Sequence, residues 1–290
     1  MLIFSAVFLV ACGAFAVFQT ATGHFLPHDA TYLGMSASQL CALDDCRILH
    51  FMIHDRISFG GVLVAIGVVY LFLARSPLAR MESWSWWTLA CSGLAGFLSF
   101  LSYLWYGYLD SWHGAATLLL LPVFVAGLVR AWGWRRERVE PAALDLRSAA
   151  GVGRALLLLS SVGISVAGLT IMTVGMTSVF VPQDLAFMGT TRSAIAAINP
   201  HLVPLIAHDR AGFGGALVSF GVAMFGCLRY ARPSRALFQT LTLAGVAGFS
   251  TAVGVHPAIG YVSFTHLAPA VLGCVVFAAG LALAIRGSRA

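Results

Sequence analysis

Apolar residues run almost unbroken through eight stretches, near 1–19, 50–73, 86–106, 113–132, 155–178, 202–228, 237–255 and 264–285. Each comes close to the ~20 residues that a helix needs to cross about 30 Å of hydrocarbon. The pattern predicts eight transmembrane helices. A membrane barrel would need short alternating strands, and the long continuous runs argue against it. Four segments lie on one side of these spans: two of some length near 20–49 and 179–201, and two short ones near 107–112 and 256–263. Within the long pair, SASQLCALDD and TRSAIAAIN carry small and apolar residues at helical spacing and are expected to lie along the surface as caps.

The spans fall into two copies. FLPHDATYLGMSASQL followed by IHDRISFGGVLVAIGV in the first half matches FVPQDLAFMGTTRSAI followed by AHDRAGFGGALVSFGV in the second. His54, Asp55 and Arg56 align with His208, Asp209 and Arg210, and Phe59, Gly60 and Gly61 with Phe213, Gly214 and Gly215. The match continues to His113 and His266. A repeat of this length sets the architecture first. It predicts an all-α integral membrane protein of two tandem, pseudo-symmetric four-helix bundles: residues 1–131, a charged cytoplasmic linker at 132–154, and residues 155–290. Four helices per copy place both copies in the same orientation, as in parallel-repeat membrane proteins.

Composition agrees, with 59% hydrophobic and 10% charged residues and a mean hydropathy of +0.88, far from an ordinary soluble domain. All 17 basic residues are arginine. Most lie in alternate segments, so the positive-inside rule puts both termini in the cytoplasm of a multi-pass protein of the cell membrane. The net charge of +6 is then a topology signal and excludes nucleic acid as a partner, because the arginines are spread over four segments. Cys41 and Cys46 lie close together in an outer segment where disulfides persist. They read as a loop staple or a redox pair, the staple being simpler.

The repeat singles out four of nine histidines. His54, His113, His208 and His266 each fall near the outer end of their helix, so the two in each half should share a depth. Imidazoles facing across a four-helix bundle can ligate a haem iron, which predicts His54 with His113 and His208 with His266 as metal ligands. Gly60 and Gly214 would let a flat macrocycle approach, or simply pack helices. Arg56 and Arg210 are suited either to haem propionates or to ion pairs with Asp55 and Asp209. Divergence between the halves, at His28 against Gln183 and at the cysteine pair, places chemistry in the first half around His28, Asp29 and Asp55. His24 and His28, four apart, could add a metal site near the outer surface.

Eight helices in two repeats, histidines on helices two, four, six and eight near the outer face, a cysteine pair in the first outer segment, and local runs such as IHDR and a histidine separated by four residues from LLLL together resemble the haem A synthase family. The resemblance implies one haem site per half, one for a substrate haem and one for an electron-transfer haem b. The chain departs from that pattern where His50 and Phe51 occupy the region of the family's acidic residue. A relative with the scaffold and a different reaction is therefore expected. The leading reading is a haem-binding membrane oxidoreductase that exchanges electrons with quinol or another redox partner. The alternatives are a carrier built from parallel repeats, and an enzyme using non-haem iron or zinc. Oligomer formation is left open.

Overall fold

The computed structural model describes residues 1–102, 108, 111–133, 140–141 and 143–288. Among these residues the chain is helical throughout, with no strand. Long helices α1 (Leu2–Ala21), α4 (Arg47–Arg75), α5 (Ser83–Ser99) and α6 (Ser111–Arg130) come from the first half of the chain. The second half contributes α7 (Ala149–Met176), α10 (Leu202–Tyr230), α11 (Arg235–Ile259) and α12 (Phe264–Gly287). Seven of these are long and apolar enough to cross a membrane; the eighth, α5, has 17 residues and runs into a 3-10 turn at Phe100–Ser102. Leucine, valine and phenylalanine side chains on the outward faces of α1, α6, α7 and α12 are exposed, which suits contact with lipid acyl chains.

Between the long helices lie four short ones: α2 (Pro27–Leu33), α3 (Ala37–Asp44), α8 (Pro182–Met188) and α9 (Arg192–Ile198). The caps expected from SASQLCALDD and TRSAIAAIN are α3 and α9, each opened by a hydroxyl: Ser36 accepts from the Gln39 amide, and Thr191 from the Ala194 amide. Helices α2 and α8 were not expected. Each opens with proline in its first turn, where the missing N–H costs nothing, and closes on a left-handed glycine, Gly34 or Gly189. Cys41 and Cys46 form a disulfide that ties the end of α3 to the start of α4. Helix α7 begins at Ala149, capped by Ser148, which accepts from the Gly151 amide. The linker therefore ends earlier than residue 154.

Helices α4 and α10 form the centre and are the most buried of the long helices. The two halves are not separate bundles. Helix α4 packs along α1 from its own half, but also along α11 and α10 from the other; α10 packs along α7 and reaches across to α5. Glycines make these approaches possible. A methyl group at Gly60 would stand 2.8 Å from the Gly13 carbonyl oxygen of α1, and one at Gly214 would stand 2.5 Å from the Met172 amide of α7. The adjacent Gly61 and Gly215 abut α11 at Ala247 and Thr251, and Ser99 of α5. Gly60 and Gly214 are thus filled by neighbouring helix backbone and have no room beside them for a cofactor.

Two apolar cores result. The larger spans α4 from Phe59 to Leu73 and α10 from Phe213 to Leu228. A second, around Leu40, Phe51, Ile195, Ile206 and Tyr261, joins the short helices to the first turns of α4 and α10. It is closed by cross-connections between the two outer segments, such as Asn199 Nδ2 donating to the Leu33 carbonyl at 2.7 Å. Residues 54–56 and 208–210 fall between the two cores.

Candidate metal and redox site

Sandwiched between the two apolar cores is a layer of charge. Arg56 Nη1 donates to Asp29 Oδ2 at 2.6 Å and its Nε to Asp209 Oδ2 at 2.7 Å. Arg210 Nη1 donates to Asp184 Oδ2 at 2.5 Å and to the Val179 carbonyl at 2.7 Å, and its Nε stands 3.3 Å from Asp55 Oδ2. Tyr108 donates to Asp29 Oδ1 at 2.9 Å, and Tyr261 to Asp184 Oδ1 at 2.8 Å. The two sets use residues that correspond in the repeat. Each arginine pairs with the HDR aspartate of the other half, so Arg56 and Arg210 are engaged by carboxylates rather than held out toward propionates. Burial, and then the neighbouring Asp184 carboxylate, push the Tyr261 phenol well above its ordinary value. It stays protonated and keeps donating.

Histidines gather at two places along this layer. His113 Nδ1 and His208 Nε2 stand 3.1 Å apart, with their rings near parallel. His54 meets His256, Nε2 to Nε2, at 3.2 Å, and its ring centroid lies 5.4 Å from that of His266. One ligand nitrogen from each of His54, His256 and His266 falls within 4.8 Å of the others. The expected pairs, His54 with His113 and His208 with His266, therefore do not form. The physical reason is the crossing of the halves: α11 and α12 bring His256 and His266 to α4, while α6 brings His113 to α10.

His54 Nδ1 is bonded to Asp55 Oδ1 at 2.9 Å, so Asp55 serves the three-histidine group. It does not join His28 and Asp29, as the sequence suggested, because α4 turns it toward Arg210. His28 stands 3.4 Å from Asp29 and stacks on Trp112. His24 precedes α2 and contacts Thr22, so a spacing of four does not put it on one helical face with His28. Sequence reasoning missed Asp184, Tyr108, Tyr261 and His256. The first three could have been found by carrying Asp29 and the repeated Gly-Tyr before each fourth helix across the repeat. His256 has no histidine counterpart in the first half, so the repeat could not reveal it.

A cavity of about 210 Å³ opens beside the His113–His208 pair, among α1, α4, α5, α6 and α10. Its outer end carries Asp29, Arg56, His113, His208 and Asp209; the rest is mostly apolar, with Phe59, Leu63, Ile66, Phe97, Leu120 and Phe124, interrupted by hydroxyls such as Ser5, Thr117 and Ser219. Along α4 it reaches from Arg56 to Tyr70, about 20 Å at the rise of an α-helix. At the inner end Tyr70 bonds the Ser92 hydroxyl at 2.7 Å, and Ser92 donates to the Ser219 carbonyl at 2.8 Å. The chain matches no family model, and no curated protein or solved structure is significantly similar to it.

Proposed function

We propose that this protein is a multi-pass membrane oxidoreductase that oxidises a lipid-soluble quinol at the His113–His208 end of the cavity and passes its electrons to a metal ion held by the buried histidines. The cavity carries this reading. It is long and mostly apolar, as an isoprenoid or acyl chain requires, and its charged end has the groups that a hydroxylated ring needs. A quinol that loses two electrons also loses two protons. His113 and His208, with Asp209 beside them, are bases within reach of such hydroxyls. An ion held by the histidines would supply one-electron chemistry, with a one-electron acceptor outside the membrane taking up in turn the two electrons that each quinol gives.

The resemblance in layout implies haem, with haem b foremost. Two axial imidazoles on one iron hold their nitrogens roughly 4 Å apart. The 3.2 Å between the His54 and His256 nitrogens suits two ligands side by side on a small ion with bonds of about 2.0–2.1 Å. That spacing favours a small ion over haem. We also read the fold as eight spans in two interlocked halves related by a pseudo-two-fold axis along the membrane normal, with both termini cytoplasmic. The recurring contacts at Arg56 and Arg210, and at Gly60 and Gly214, support it.

Turnover of a short-chain quinol by the purified protein, with a soluble one-electron acceptor, tests the proposal. The rate is expected to fall at least about tenfold in His208→Gln, which removes a proton acceptor, and as far in Ala216→Trp, which fills the cavity. Wild-type protein with no quinol turnover, although folded and metal-replete, would contradict it.

A further inference from the structure

We propose that His54, His256 and His266 bind a single transition-metal ion, copper foremost. Ion binding stands independently of the quinol reading, and only the ion's redox role rests on it. Three imidazoles from three helices converge with ligand nitrogens within 4.8 Å, and His54 and His256 are almost fully buried. A modest contraction brings them to the bond lengths that imidazoles adopt on first-row ions.

The surroundings are built as metal sites are built. Asp55 holds His54 Nδ1, which leaves Nε2 directed at His256, and Arg210 holds Asp55. A carboxylate on the far nitrogen fixes the ring and raises its basicity as a ligand. Asp184 stands 3.9 Å from His266 Nδ1 and lies on the same arginine. Charge points the same way. Around this cluster two buried carboxylates, Asp55 and Asp184, share one guanidinium, so with neutral imidazoles one negative charge is in excess. An excess buried charge is costly unless it is balanced, and a bound cation balances it. Three neutral nitrogens with no thiolate and no direct carboxylate suit copper, iron, nickel or zinc, and affinity among these peaks at copper.

The repeat-related group at His113 and His208 lacks a third histidine from the position that corresponds to His256. His113 and His208 have a cavity beside them instead. The two histidine groups thus divide the work: one grips an ion, and the other faces a ligand.

The test is metal content and Cu²⁺ binding of the detergent-purified protein. Wild type is expected to bind about one Cu²⁺ per chain, with nitrogen hyperfine structure in its electron paramagnetic resonance spectrum. His256→Ala should lose binding by at least about tenfold, and Asp55→Asn by roughly ten- to a hundredfold, the usual effect of removing a partner behind a ligand. His50→Ala, at a histidine outside both groups, should bind as wild type does. Melting curves identify any variant that has lost its fold; for those, the wild-type spectrum decides. Folded wild type that binds no Cu²⁺, or a spectrum without nitrogen coupling, would overturn the proposal, as would full binding in folded His256→Ala. Quinol turnover that fails while Cu²⁺ binds leaves the metal site standing and removes the quinol reading.

Discussion

Arg210→Met should destabilise the protein by about 3–5 kcal/mol, the usual cost of removing one partner from a buried charge network. Arg210 is 4% exposed, and it alone joins Asp184, Asp55 and the Val179 carbonyl. Without it Asp55 and Asp184 stay buried with no guanidinium between them. Set against a total stability of roughly 5–15 kcal/mol for a typical domain, the loss is severe. Lysine should not rescue it, since one ammonium cannot reach three acceptors set out for a planar fork. Adding Asp184→Asn to Arg210→Met should recover part of the loss by removing one of the stranded charges. Unfolding in detergent, followed by circular dichroism, measures all three. If Arg210→Lys melts like wild type, the network is not holding the layer together.

Gly214→Ala should cost about 1–3 kcal/mol, the range for overpacking a tight interior. Its new methyl would lie 2.5 Å from the Met172 amide and 2.6 Å from the Gly168 carbonyl. Both are backbone, so α7 and α10 must move apart as whole helices. Gly163→Ala, on α7 with nothing within 4 Å, should be neutral or slightly stabilising, because alanine is the better helix former by about 1 kcal/mol. The contrast separates close approach from a general intolerance of change in these helices. Equal melting of the two variants would contradict the packing described for α7 and α10.

Much of this fold could be read from hydrophobic run length, because a span must be long and apolar whatever packs against it. The short helices α2 and α8 were harder. Seven residues give too little periodicity, and only the proline at one end and glycine at the other mark them. The neighbours of α4 were misjudged for a different reason. Sequence repetition says which helices are alike, not which are adjacent. The doublet Gly60-Gly61 held the missing information: successive residues on a helix point about 100° apart, so two adjacent glycines announce close neighbours on two faces. One of those faces meets α1 and the other α11.

The candidate site was legible by residue type and illegible by pairing. His54, His113, His208 and His266 all reach the polar layer, as do Asp29, Asp55 and both arginines. Which of them meet depends on the crossing of the halves, which exchanges the partners of the two central helices. His256 was hidden because it sits in the last turn of α11, just before the Gly260 cap, where a lone histidine reads as an interface residue.

The most direct measurement adds a short-chain quinol to the Cu²⁺-loaded protein, anaerobically, and follows the copper resonance signal. If the cavity delivers electrons to the ion at His54, His256 and His266, the signal should disappear as Cu²⁺ is reduced. It should persist in His208→Gln and in Ala216→Trp, while the ion stays bound. A signal that quinol leaves unchanged in the wild-type protein, or an absorbance spectrum of the protein as purified that is dominated by a haem Soret band, would contradict this function.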